Sequence, residues 1–267
     1  MKLFITGIGL WSATAANWQE FLEPTIDSES AIRKLPANDL VPAAERRRMP
    51  KTAKLAIEVA TQACSMADID IQTITSVFTS QIADTEITDY LCRALAAPVK
   101  SMSPTKFHNS VQNAPGGYWA IGAKNHMPCN YVSGFQECWQ TGLLEAAIQC
   151  VTEDRPVLLA NYDLACKPPL ADVFPATEDF ACALVLEPAT SNKAGIEIEI
   201  RIANGDVTAP EATQKCNKLR IEHNPSARTL VQLEAFTTSD TASLQWPLTQ
   251  ACHLQLLSQG KLPMSGI

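Results

Sequence analysis

The sequence predicts an α/β protein in which helices cover a mixed sheet, and three observations carry that expectation. Val157-Leu158-Leu159-Ala160 and Phe180 to Leu186 are short runs without a charged residue, as strands buried on both faces require. Segments with apolar residues at helical spacing alternate with such runs; in residues 51–67 Leu55, Val59, Ala63 and Met66 recur on one face. Ile196 to Ile202 alternates strictly between Ile and Glu or Arg, the period of a strand with one wet face.

Taken in order, residues 2–9 predict a first strand that ends in Thr6-Gly7-Ile8-Gly9, and residues 17–22 a short helical start. Residues 24–50 carry Pro24, Pro36, Pro42 and Pro50 and predict irregular chain, with Glu45-Arg46-Arg47-Arg48 as a solvated loop or helix start. The helix over 51–67 follows, then a short strand over Ser76 to Ser80, and a helix over 84–97 stopped by Pro98. Residues 103–117 are polar and glycine-rich and lead into a helix reaching Lys124. Asn130 to Ser133 predicts a strand, and 137–151 a helix with Trp139, Leu143, Ala147 and Cys150 on one face. The alternating strand 196–202 is expected at a sheet edge. Beyond Asp206 the pattern weakens, and residues 228–236 and 248–258 read as helices.

Composition narrows the function classes. Of 267 residues 46% are apolar and 18% charged, which suits a folded core and excludes a disordered or nucleic-acid-binding composition. A net charge of −7 gives no general attraction for nucleic acid or anionic lipid. The nine Cys (64, 92, 129, 138, 150, 166, 182, 216 and 252) are odd in number and include no C-x-x-C pair. They read as free, buried thiols in a reducing, cytoplasmic setting, not as disulfides or a zinc site. Lys2, Leu3 to Trp11 and Ala13-Thr14-Ala15 superficially imitate a signal peptide, but Thr6, Gly7 and Gly9 interrupt the apolar run. No run of about 20 apolar residues predicts a membrane span. Phosphate loops, G-x-G-x-x-G, H-E-x-x-H and G-x-S-x-G are absent, and no metal or cofactor is implied.

Four segments, in order, resemble the N-terminal half of a β-ketoacyl synthase, a thiolase-fold enzyme. Phe4-Ile5-Thr6-Gly7-Ile8-Gly9 is similar to that family's first strand and turn, V-x-I-T-G-x-G. Arg47-Arg48-Met49-Pro50, running into Lys54 to Ala60, resembles the basic segment before the second helix. Ser103-Pro104-Thr105 with Phe107 to Asn113 resembles S-P-x-x-F-x-x-S-V-x-N, the form found in the small ketosynthase-like proteins of aryl polyene gene clusters. In active members a G-P begins a strand ending at A-C-x-x-G, where the Cys sulfur meets a helix N-terminus that favours its thiolate. Counting from Pro128 in that register, the nucleophile position falls on Gln136; counting back from Ala146-Ala147, Asp154 and Val157 to Ala160 gives the same residue. Chain-length factors of type II polyketide synthases resemble this chain in carrying Gln there.

The resemblance implies further features. The partner strand to a second subunit corresponds to Cys129, Asn130, Tyr131, Val132 and Ser133. Acyl-tunnel or interface positions correspond to Phe107, Asn109, Val111, Tyr118 and Phe135. Active members polarise the malonyl thioester with two His, in an H-G-T and a G-H segment. The His here (108, 126, 223 and 253) stand in neither context. Residues 1–190 are then the thiolase-half domain, and 191–267 a short C-terminal extension packed on it, too few for the family's second half. These points imply a non-catalytic chain-length factor completing the tunnel of a full-length Cys-His-His ketosynthase, which itself receives the acyl carrier protein. Two other readings stay open: a thiol-dependent acyl hydrolase or transferase using Cys138 with His126 or His108, and a stand-alone carrier-protein-binding module.

Overall fold

The computed structural model describes residues 1–22, 34–174, 176–191, 193–208 and 224–260. Cys216, His223 and part of the proline-rich 24–50 segment lie outside the described residues. The chain builds one eight-stranded sheet from β1 (Lys2–Ser12), β2 (Thr75–Thr79), β3 (Cys129–Val132), β4 (Val157–Asp163), β5 (Phe180–Pro188), β6 (Ile196–Asn204), β7 (Thr241–Pro247) and β8 (Cys252–Gln259). The strand order is β3-β2-β4-β5-β1-β6-β8-β7. β2 runs parallel to β3 and to β4, and the remaining pairs are antiparallel, so the sheet is mixed, as the sequence predicts.

Helices cover both faces. On one side lie α3 (Lys51–Met66) and α6 (Ala114–Ala123). Leu55, Ile57, Val59, Tyr118 and Trp119 pack there against Phe78, Leu158 and Val185. On the other side lie α7 (Cys138–Glu153) and the helix Thr229–Thr238, where Trp139, Leu143, Leu230 and Phe236 meet Val77, Leu159, Leu184 and Trp246. β2, β4 and β5 are buried along their whole length, which is why they lack polar alternation. Short helices α1 (Trp18–Leu22), α2 (Ala43–Arg46), α4 (Thr85–Ala96) and α5 (Pro104–His108) complete the elements before β3; Thr229–Thr238 is α8.

The glycines of β1 have a packing cause. A Cβ on Gly7 would lie 2.0 Å from the carbonyl oxygen of Ala63, and one on Gly9 1.9 Å from that of Val59. The backbone of α3 therefore rests directly on β1. β6 accompanies β1 only over Lys2 to Ile5. Past that point α3 supplies side-chain acceptors for strand donors that β6 does not reach: Ile8 N donates to Met66 Sδ at 3.2 Å and Leu10 N to Gln62 Oε1 at 3.0 Å.

Two expectations are corrected. The alternating strand is not an edge: β6 lies between β1 and β8. Its alternation reports one buried face, through Ile196, Ile198 and Ile200, and carries no information on lateral neighbours. Residues 248–258 do not form a helix. β7 and β8 make a hairpin in which Leu248 N and Thr249 N donate to Cys252 O at 3.0 and 3.1 Å, and Leu254, Leu256 and Ser258 are buried at period two. The thiols are also less uniformly buried than the sequence suggests, since Cys92 is exposed and Cys129 and Cys252 are half-buried. The basic run 45–48 forms the end of α2 and an exposed turn, in line with its solvated reading. Among the described residues no helix is long and apolar enough to cross a membrane.

Candidate functional site

β3 ends in a tight strand-to-helix connection. Ser133 Oγ donates to the carbonyls of Ser80 and Gln81 at 3.0 and 3.3 Å, fixing the end of β3 to the end of β2. Phe135 takes a left-handed backbone, φ 52°, an uncommon conformation for a bulky residue. Residues Phe135–Glu137 close one 3₁₀ turn, in which Glu137 N donates to Gly134 O at 3.0 Å, and α7 begins at Cys138. Gln136 sits in this turn with its side chain exposed, and Arg228 Nη1 donates to its carbonyl at 3.2 Å. Phe135 lies edge-on to Phe174 with ring centroids 5.7 Å apart.

Cys138 has a different setting. It is buried at the first residue of α7, with Sγ 2.7 Å from Thr79 Oγ1 and 3.9 Å from the carbonyl of Val132. Burial pushes the thiol up to about 11, against the smaller opposing effect of the Thr79 hydroxyl. A thiol so placed is protonated at neutral pH, and a protonated thiol is a poor nucleophile. His108 and His126 are both exposed, whereas this sulfur is buried.

The five positions on the strand before the turn fall on or beside β3, which stands at one end of the strand order. Asn130 points out and its amide donates to Glu145 Oε1 on α7 at 3.0 Å. Cys129 and Tyr131 point to the other face, where Cys129 Sγ donates to Tyr131 Oη at 3.1 Å and Tyr131 stacks on Phe78 at 6.2 Å. α6 approaches β3 so closely that a Cβ on Gly116 would lie 2.3 Å from Tyr131 Oη and 2.7 Å from Cys129 Sγ.

The five tunnel or interface positions divide. Asn109 and Tyr118 are buried: Tyr118 Oη donates to Asn109 Oδ1 at 3.2 Å, and Asn109 Nδ2 to the carbonyl of Arg48 at 2.7 Å. Phe107, Val111 and Phe135 are 61%, 52% and 45% exposed, and Leu95, Val99 and Met102 on the α4–α5 segment are exposed to a comparable or greater degree.

Sequence reasoning missed a buried polar cluster beneath the turn. Asp163, the last residue of β4, accepts from Ser80 Oγ at 2.7 Å, from Gln81 N at 3.0 Å and from Ser226 Oγ. Asn224 Nδ2 donates to the carbonyls of Asp163 and Glu178 at 2.9 and 2.7 Å. The available signal was Asn161 and Asp163 closing an otherwise apolar strand. Their partners lie more than 60 residues away, at the end of β2 and in the stretch beyond Asp206 where the sequence pattern had faded. Among the described residues no group of His, Cys, Asp and Glu could hold a metal ion.

The chain matches the model of the β-ketoacyl synthase N-terminal domain over residues 15–251. No curated protein matches it. Among solved structures, the ketosynthase (ApeO) in complex with its chain length factor (ApeC) from Xenorhabdus doucetiae is similar with TM-score 0.68 and 20% identity, over 96% of this chain and 99% of that one. The ishigamide ketosynthase/chain length factor has TM-score 0.67 and 12% identity over 98% and 100%. AntDE:AntF, a type II polyketide synthase acyl-carrier protein in complex with its ketosynthase bound to the hexaketide, has 0.70 and 10% over 97% and 99%. The mixed sheet between helical layers is thus the thiolase-like fold of these ketosynthase structures. With the family model covering most of its length, the chain belongs to the β-ketoacyl synthase family, matched through that family's N-terminal domain.

Proposed function

We propose that this chain is the non-catalytic, chain-length-factor subunit of a heterodimeric β-ketoacyl-[acyl carrier protein] synthase. The observation that carries the reading is Gln136 in the strand-to-helix turn. A carboxamide accepts no acyl group, and the neighbouring thiol, Cys138, is buried and held protonated. The partner is a full-length ketosynthase with one Cys and two His, and it performs the decarboxylative Claisen condensation. Its thiolate takes the growing chain from the carrier protein, and its His pair stabilises the thioester oxygen as the malonyl carboxylate leaves. The acyl carrier protein docks mainly on that partner, which suits the net charge of −7 here.

In this reading β3, at the end of the strand order, pairs with the ketosynthase across the interface through Cys129 to Ser133. Phe107, Val111 and Phe135, exposed on the isolated chain, are covered by the partner and wall its acyl tunnel, and Asn109 and Tyr118, buried and hydrogen-bonded to each other, complete that set. The similar structures that pair a ketosynthase with a chain length factor support this assignment. The motif Ser103 to Asn113 favours polyene chains, of the aryl polyene class, as product. Co-expression with the ketosynthase of the same gene cluster, followed by size-exclusion chromatography with light scattering, tests the reading. The expected result is a 1:1 complex that condenses malonyl units, with no condensing activity in either chain alone. A chain that stays apart from the ketosynthase, or condenses by itself, overturns it.

A further inference from the structure

Asp163 joins four separate parts of the chain at one buried point. It ends β4, it accepts from Ser80 and Gln81 at the end of β2, it accepts from Ser226 just before α8, and through Ser80 and Gln81 it is linked to Ser133 before the Gln136 turn. Asn161 Oδ1 lies 3.1 Å from Ser226 Oγ, and Asn161 Nδ2 donates to the Ser226 carbonyl at 3.3 Å. Ser226, Asn224 and Asn161 are fully or almost fully buried. Among the described residues the bonds to Asp163 come from hydroxyls and backbone N–H groups, and none comes from a cation.

We propose that Asp163 is a proton-controlled latch that holds the segment 224–238 against the strand ends beside the Gln136 turn. With the proton on, the carboxyl is a neutral hydrogen-bonding group in an apolar surround. With the proton off, a buried anion held by hydroxyl and backbone donors sits in the same place at a desolvation cost, and opening the segment returns it to water. Burial pushes the carboxyl up from 3.8 to about 6, against the Ser226 and Ser80 hydroxyls, which favour the anion. Of the ionisable groups on the surrounding elements, Cys138 on α7 and Tyr162 on β4 act on the cluster, and burial holds both protonated. Among the described residues, Asp84 at the start of α4, Glu137 before α7, Glu178 and Asp179 before β5 and Arg228 before α8 are charged residues on the segments next to it. Burial raises the Asp84 carboxyl too, and of these groups only Arg228 is positive.

The folded value lies above the unfolded one. The stabilisation is therefore complete below about pH 4 and is lost as pH rises through about 6. Opening of 224–238 exposes the group, so the opening population should rise about four-fold between about pH 5.5 and about pH 7.5. Hydrogen–deuterium exchange of that segment, in the full chain, alone or in its ketosynthase complex, reads this after correction for intrinsic exchange. Asp163→Asn keeps the shape. Its amide can donate to Ser226 Oγ, whose hydroxyl then turns to Asn161, so the variant should keep 224–238 protected and remove the four-fold dependence. Ser226→Ala removes a donor from the anion and should raise exchange more at pH 7.5 than at pH 5.5. A wild-type segment whose corrected exchange ignores pH overturns the latch. So does a dependence unchanged in Asp163→Asn, or a Ser226→Ala effect equal at both pH values.

Discussion

Replacing Gly9 by Ala tests the contact on which the whole α3 layer rests. The added Cβ would lie 1.9 Å from Val59 O, 2.7 Å from Val59 C and 3.0 Å from Val59 Cα. All three are backbone atoms in the middle of a 16-residue helix, so no side chain can swing aside. An ordinary contact of this kind needs more than about 3.3 Å, which displaces α3 from β1 by more than 1 Å. That helix buries Leu55, Ala56, Val59, Ala60, Ala63 and Cys64 completely, and lifting it loosens all of them together. Overpacking of a dense core costs about 1–3 kcal/mol, and a backbone-to-backbone clash belongs at or above the upper end. Against a total stability of about 5–15 kcal/mol the loss is large. Gly117→Ala is the internal control: Gly117 lies inside α6 and a Cβ there would meet nothing within 4 Å, so the change should stabilise by about 0.5–1 kcal/mol. Urea unfolding followed by circular dichroism gives both shifts in midpoint at matched slope. A Gly9→Ala midpoint equal to wild type would refute direct seating of α3 on β1.

Two further outcomes follow from the same geometry. Gly116→Ala places a Cβ 2.3 Å from Tyr131 Oη and must move the Tyr131 ring and with it the face of β3. It should cost about 1–2 kcal/mol and weaken ketosynthase binding measured by light scattering more than Gly117→Ala does; equal binding by the two variants would remove β3 from the interface. Iodoacetamide should alkylate exposed Cys92 first and leave Cys138, with its thiol pushed up to about 11, largely unmodified at pH near 8. Rapid, selective labelling of Cys138 in peptide mass spectra would return the chain to the thiol-enzyme reading.

Much of the fold is legible locally. The apolar runs at 157–160 and 180–186 lie within β4 and β5, and the amphipathic repeat of 51–67 is α3, because burial on both faces and burial on one helical face each leave a distinct period in the sequence. The strand, turn and helix around Phe135–Glu137 are contiguous in the chain, so the run from β3 into α7 is legible from local pattern.

What only the tertiary structure decides is lateral and long-range. Alternation in Ile196–Asn204 specifies a wet face and a dry face, yet β8, 48 or more residues later, makes it an interior strand. Residues 248–258 contain Leu254, Leu256 and Leu257 at spacings that fit helix or strand, and pairing with β6 and β7 selects the strand. The Asp163 cluster was invisible for the same reason. Its carboxylate, two hydroxyls and amides lie on three segments separated by up to 146 positions, from Ser80 to Ser226. Sequence determines which face of each element is apolar, because that depends on neighbours one turn or two residues away. The partner that meets the other side of the element, and the proton held between such partners, depend on a low-dielectric interior that exists only once the chain has closed around it.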